Sequence, residues 1–344
     1  MNGELSNGLV LLATSGNRLV NTKSGEPVIL RGVNRSGLEY SGPDERGFLS
    51  GASISRAEIQ VIVREWACTI IRLPFNQDFA LRGRSGWSGE EYRAALDQVI
   101  YWASMFGACT LLDLQWLDAD RIYGGSRNFI APLPNFESFA LWTLLAARYK
   151  DEPAVLYDIY TEPHDRLGDD PYPMSKPDGS AYPAEHRAVT AGDWQPWARR
   201  LIKAIRTESP NAVAFVAGTN WAYDLRGVPM DLPNVVYSSH VYSNKGDDWS
   251  PAFGDLSRSV PVFLGEFGGQ DTPEELDFVR RLVAYAESLG IGWTAWSWFN
   301  EPFLVTRYAA TQFGEVVRRE LAGHRTTQSH VLKISSNVPH IPSN

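Results

Sequence analysis

Residues 262–298 read VFLGEFGGQDTPEELDFVRRLVAYAESLGIGWTAWSW, and this stretch decides the fold. It opens with a short apolar run, 262–265, and closes with another, 292–296. Between them Thr272-x-x-Glu275 has the spacing of a capping box, in which cap and third helical residue satisfy each other's orphan backbone N–H groups. Pro273 stands at the first helical position, Leu276, Val279, Leu282, Val283 and Ala286 share one face, and Gly290 marks the stop. Neither apolar run alternates with polar residues, so each strand is buried on both faces. Strand, amphipathic helix, strand in this form predicts a parallel sheet covered by helices.

The same unit recurs outward in both directions. Apolar runs at 28–33, 69–73, 110–114, 155–160, 212–217 and 235–241 bring the strands to eight. Helices are predicted after Ser55-x-x-Glu58 and Ser88-x-x-Glu91, and from Asp193 through Trp197, Leu201, Ala204 and Ile205. Another carries the stripe Phe139, Trp142, Leu145 and Tyr149. Eight such strands favour an α/β fold of the (β/α)8 TIM barrel type over an open doubly wound sheet. No Gly-x-Gly-x-x-Gly follows a strand, which counts against a dinucleotide site. The expected organisation is an N-terminal segment (1–16), a single barrel domain (17–323) with a small hairpin at 17–27 closing its floor, and a flexible polar tail (324–344). Residues 165–190 read as one long loop, and loops of that length are usually functional.

Composition narrows the function. The 344 residues carry a net charge of −8 and no long basic run, which argues against a nucleic-acid partner. No apolar stretch is long enough to span a membrane, and no signal peptide is visible at the start. The two cysteines, Cys68 and Cys109, lack ligand spacing and open apolar runs, so they read as buried free thiols. No His/Asp/Cys cluster has metal spacing and no Gly-x-Ser-x-Gly elbow is present, so neither a metal, a cofactor nor a serine nucleophile is expected. The 12 Trp are a surplus that serves either core packing or flat platforms; Trp66, Trp102 and Trp142 are assigned to packing.

In a barrel, chemistry belongs at the carboxyl ends of the strands. Two of those ends carry a glutamate, Glu162 after the fourth strand and Glu266 on the seventh. Buried Glu is rare unless paired. One account makes each half of an ion pair closing the barrel mouth. The other makes them a catalytic pair: cleaving a glycosidic bond with retention needs one carboxylate to attack the anomeric carbon and another to protonate the leaving oxygen, about 5–5.5 Å apart. Strands four and seven lie on opposed walls, which suits that separation. Arg72 and Tyr242 would keep Glu266 charged, while burial and the neighbouring negative charge would keep Glu162 protonated. His240 and Tyr242 stand two apart on one strand and so share a face.

With these residues in order, the chain resembles family 5 glycoside hydrolases, the retaining barrels that include cellulases and mannanases. The resemblance runs from about Leu19 to Leu321 and rests on Arg31-Gly-Val-Asn34, Ile71-Arg72-Leu73-Pro74, Tyr160-Thr161-Glu162-Pro163-His164, His240-Val241-Tyr242, Gly265-Glu266-Phe267-Gly268 and Trp296-Ser297-Trp298. It implies that Glu162 is the acid/base and Glu266 the nucleophile. It also implies that Arg72, His240 and Tyr242 position nucleophile and substrate, and that Trp296 is the platform under the sugar at the cleavage point. Two positions depart from the family pattern. Thr161 stands where the family has an Asn that donates to the sugar 2-hydroxyl, and Gln115 stands where it has a His near the same sugar. Tyr40, Trp116 and Trp221, with Tyr123 and Trp249, are candidate subsite aromatics.

The resemblance implies a cellulase-like, endo-β-glucanase-like enzyme that cleaves or transfers β-linked glucan through a covalent glycosyl-enzyme intermediate, acting as a monomer, secreted or periplasmic. Thr161 and Gln115 motivate two alternatives, a β-glucan transglycosylase and a catalytically impaired carbohydrate-binding protein on a hydrolase barrel. An aldolase or isomerase barrel lacks its strand-end Lys or phosphate loop here.

Overall fold

The computed structural model describes residues 9–118, 131–150, 152–167, 174–307 and 309–324. Its strands are β1 (Arg31–Asn34), β2 (Ile70–Asn76), β3 (Cys109–Trp116) and β4 (Val155–Asp158), then β5 (Ala214–Ala217), β6 (Val235–Val241), β7 (Val262–Phe267) and β8 (Gly292–Ala295). Each pairs in parallel with the next, and β8 returns to β1 with Ala295 opposite Val33, so the sheet is a closed barrel. The chain is a (β/α)8 TIM barrel, as the alternation predicts. Every strand residue is buried except Trp116, which is half-buried at the upper end of β3.

The helices are α1 (Arg56–Gln60), α2 (Gln77–Arg82), α3 (Gly89–Phe106), α4 (Glu137–Arg148), α5 (Ala191–Glu208), α6 (Pro273–Leu289) and α7 (Gln312–Gly323). Ser88 and Glu91 form the full reciprocal capping box of α3. Ser55 and Thr272 cap their helices one way only, because Glu58 turns to Arg35 and Glu275 accepts from Ser243. Helix α5 starts at Ala191, ahead of the predicted Asp193: Thr190 is the cap, and Asp193 is its capping-box partner in the first turn. Two crossovers lack an α-helix. Residues 218–234 join β5 to β6 as a loop, and short turns at Ser250–Gly254 and Leu256–Arg258 join β6 to β7.

The floor hairpin forms as predicted, with an earlier strand added to it. Across the 22–25 turn Val20 bridges antiparallel to Pro27, Asn21 N donates to Glu26 O at 3.0 Å and Val28 N to Leu19 O at 2.8 Å, while Leu12–Ser15 pairs antiparallel with Arg18–Asn21 around Gly16-Asn17. It does close the floor: Thr14 and Asn234 exchange two 3.0 Å hydrogen bonds just before β6, and Arg18 donates to Leu289 O just before β8. Among 165–190, the described residues form no helix or strand, only a Ser175–Ala181 bridge. Residues 168–173, Tyr123 and the tail beyond His324 lie outside the described residues.

Much of the tryptophan surplus is core. Trp142, Trp194, Trp197 and Trp293 are fully buried, and each indole N–H finds an acceptor: Ile159 O, Ala217 O, Ser175 O and Glu287 Oε1. Trp66 is buried against Trp298, and Trp102 packs partly buried on the core. Cys68 and Cys109 are buried and free.

Removing the α3 cap tests the local account. Ser88→Ala should cost about 1 kcal/mol in urea unfolding; an unchanged midpoint would show that packing alone fixes the helix start.

Candidate active site

The strand ends converge on one cation. Arg72 is fully buried on β2, opposite Asn34 of β1. Its Nε donates to Asp158 Oδ2 at 2.8 Å, and its Nη1 donates to Asn34 Oδ1 at 2.9 Å and Glu266 Oε1 at 2.8 Å. Its Nη2 donates to Thr161 Oγ1 at 3.2 Å and lies 2.9 Å from Asp113 Oδ1. Asp113 on β3 and Asp158 on β4 stand in register, so parallel pairing itself brings the two acids together beneath the guanidinium.

Glu266 completes its ligation with the Tyr242 hydroxyl, which donates to Oε2 at 2.9 Å. Both carboxylate oxygens thus accept a directed hydrogen bond, one of them charge-assisted. Gly265 makes room for this arrangement: a Cβ there would meet Ser238 Oγ at 2.4 Å and His240 Nε2 at 2.8 Å. Across the mouth, His240 Nδ1 is hydrogen-bonded to Glu162 Oε1 at 2.9 Å and lies 3.6 Å from Glu266 Oε1. Oxygens of Glu162 and Glu266 lie within 4.8 Å of one another and of His240. Among the described residues, these three are also the set of potential metal ligands that converges, and His240 and Arg72 already engage their carboxylates.

Burial sorts the charges. It pushes the Asp113 carboxyl well up, and Asp158 upward too, against the pull of Arg72. Burial thus biases both aspartates toward the protonated form, while Arg72, which touches both, also pairs with Glu266. Burial raises Glu162 to about 7, with Arg72 and Lys245 pulling it back down. Desolvation is thus the leading cause. Burial also lowers His240 to about 3, so its ring is neutral. Glu162 nevertheless keeps 13% of its side chain open, against 5% for Glu266.

The remaining predicted residues divide. Thr161 is fully buried with its hydroxyl on Arg72. Gln115 is 5% exposed, and its Oε1 has no partner among the described residues. Trp296 lies at the β8 end with its indole N–H on Glu301 O. Half-buried Tyr40 and Trp116 pair at the rim with ring centroids 5.9 Å apart. Trp221 spends one face on His164, stacked at 3.6 Å. Trp249 is a correction: it is buried against Phe278 and Tyr285 and offers no platform. The sequence reading passed over Asp113, Asp158 and Glu39, the last fully buried with its carboxylate on Gly37 N and raised by desolvation to about 8. An Asp inside each of the apolar runs LLDLQ and LYDIY was the available signal.

Known proteins resemble this chain over most of its length. The family model for Cellulase (glycosyl hydrolase family 5) matches residues 22–302. The chain is 27% identical to an endoglucanase of Paenibacillus polymyxa, over 83% of this chain and 78% of that one. It is 24% identical to the endoglucanase MaCel5A of a Microbulbifer strain, of which it spans 51%. In fold it is similar to the β-glucanase SdGluc5_26A of Saccharophagus degradans, with a TM-score of 0.71, 19% identity, and 94% of this chain and 97% of that one covered.

The buried acids make stability pH-dependent. Glu39 and Glu162 bind a proton more tightly folded than unfolded, so the stability they confer is complete below the ordinary carboxylate value of 4.5 and is lost as pH rises through about 7 and 8. Glu39→Gln should therefore lose less stability than the unmodified protein between about pH 5 and 9 in urea unfolding. Parallel declines would contradict the buried-acid account. Arg72→Met, which strands the carboxylates, should cost roughly 3–5 kcal/mol in the same assay.

Proposed function

This chain belongs to glycosyl hydrolase family 5, and on that premise we propose that it is a retaining endo-β-glucanase acting on β-linked glucan. The observation that carries the reading is the pair of carboxylates facing each other over the barrel mouth, with oxygens within 4.8 Å. That spacing leaves no room for a water between the second carboxylate and the anomeric carbon, and suits direct attack by that carboxylate. Glu266, ligated by Arg72 and Tyr242, attacks the anomeric carbon as Glu162 delivers its proton to the leaving oxygen. Glu162 then takes a proton from water, which displaces Glu266 and restores the starting configuration. A neutral His240 hydrogen-bonded to Glu162 can orient that carboxyl in both steps without competing for charge.

Trp296 is proposed as the floor under the sugar at the cleavage point, with Tyr40 and Trp116 further along the cleft and Trp221 offering its remaining face. Gln115, with a free carbonyl oxygen beside the mouth, is proposed to accept from a sugar hydroxyl. Thr161 acts differently from an Asn at that position: its hydroxyl is committed to Arg72, so it supports the nucleophile's cation. Turnover through water rather than an acceptor sugar, a monomeric state and secretion to meet a polymeric substrate belong to the same reading. Among the described residues no helix is long and apolar enough to cross a membrane.

The test is hydrolysis of β-1,4-, β-1,3- and mixed-linkage glucans followed by NMR of the fresh products. Newly formed ends should appear first as the β anomer, and Glu266→Ala should lose roughly a thousandfold or more in kcat. First-formed α anomer would overturn retention. Binding without turnover, unchanged in Glu266→Ala, would instead make the protein a carbohydrate-binding module on a hydrolase barrel.

A further inference from the structure

The loop after β5 is held in an unusual backbone. Asn220, Trp221 and Ala222 are consecutive non-glycine residues with φ of 54°, 62° and 60°. Left-handed non-glycine residues of this kind are strained, so the surroundings must over-determine them. They do. Trp221 N donates to Pro163 O at 3.1 Å, and the Trp221 ring stacks on His164, whose Nδ1 is 2.7 Å from Glu162 O. On the other side His240 N donates to Ala222 O at 3.3 Å, and Ser239 Oγ donates to Tyr223 O at 2.8 Å. The strained turn is thus strapped to the Glu162-Pro163-His164 segment and to β6 at once.

One cation rides on this turn. Lys245 leaves the end of β6 and donates its Nζ to Asn220 Oδ1 at 2.9 Å and Asn220 O at 3.1 Å, 5.8 Å above the Tyr223 ring. We propose that Lys245 is a positioning residue for the acid/base step: locked onto Asn220, whose turn is strapped to the Glu162-Pro163-His164 segment, it holds a fixed positive charge near Glu162. The inference rests on the assignment of Glu162 above. Among the described residues Arg72 is the other cation acting on Glu162, and it is committed to Glu266 and the two aspartates. His240 on β6, Tyr242 just after it and Glu266 on β7 also face Glu162, and the first two are neutral there. Lys245 is therefore the cation that can adjust Glu162 without disturbing the nucleophile. Its charge favours the carboxylate, so it eases proton release to the leaving oxygen and sets the upper pH at which the acid still works.

The experiment is kcat/KM against pH for the unmodified enzyme, Lys245→Met, Lys245→Arg and Asn220→Ala. Two substrates are used: an unactivated cello-oligosaccharide, and an aryl β-cellobioside whose phenol departs without protonation. With the oligosaccharide, Lys245→Met should move the basic limb to higher pH by roughly 0.5–1 unit. Lys245→Arg should restore it, and Asn220→Ala, which keeps the charge but loosens it, should shift it less in the same direction. With the activated glycoside no variant should shift the limb. A limb that stays in place with the oligosaccharide, or shifts equally with both substrates, overturns the proposal. A Glu162→Gln control separates the premises: if that variant still cleaves the oligosaccharide, the acid/base assignment has failed and takes this inference with it. If it is inactive and the limb is unmoved in Lys245→Met, the role of Lys245 alone has failed. Should Lys245→Met not fold, the Asn220→Ala shift decides.

Discussion

A single guanidinium organises the mouth of this barrel. Arg72 has no contact with solvent and meets three carboxylates, a carboxamide and a hydroxyl contributed by β1, β3, β4 and β7 together with the segment after β4. A buried cation is tolerable only when paired and hydrogen-bonded, and a buried carboxylate only when compensated. One positive charge cannot compensate three negative ones, so the cluster must retain protons on its aspartates. That constraint leaves Glu266 as the acid to which Arg72 and Tyr242 both donate. The closed barrel supplies the convergence, because only a cylinder brings side chains from opposed strands to one point.

The two glutamates then differ through their surroundings rather than their chemistry. Glu266 sits against a cation and a phenol. Glu162 sits against a neutral imidazole, partly open, with burial raising it to about 7. A carboxyl poised near neutrality can give a proton and later take one, which the proposed two-step reaction requires. The floor hairpin stands at the other end of the strands, while Trp142 and Trp194 donate to Ile159 O and Ala217 O where β4 and β5 end. Strand register sets Asp113 opposite Asp158 and His240 opposite Glu266, on which the mouth depends.

The barrel was legible because buried parallel strands and capped amphipathic helices each leave a periodic mark. The two glutamates were legible because a charge ending an apolar run demands a reason. Where the periodic mark is missing the helix is missing too: residues 218–234 and 242–261 carry no helical stripe, and the two crossovers there have no α-helix. The turn at Lys23-Ser24-Gly25-Glu26 does join antiparallel chain, but a second turn at Gly16-Asn17, with Gly16 at φ 56°, was passed over. Asp113 and Asp158 were missed because they sit inside the apolar runs rather than at their ends. Trp249 was misjudged because a loop aromatic and a core aromatic share one letter, and only packing against Phe278 and Tyr285 tells them apart.

The central claim is the division of labour between the two glutamates. It is tested most directly by trapping the enzyme with a 2-deoxy-2-fluoro β-cellobioside bearing an activated leaving group, then mapping the labelled peptide by mass spectrometry. The account predicts one glycosyl unit per chain, in ester linkage to Glu266, formed also in Glu162→Gln. Label on Glu162, or stable protein with intact activity and no adduct, would contradict it.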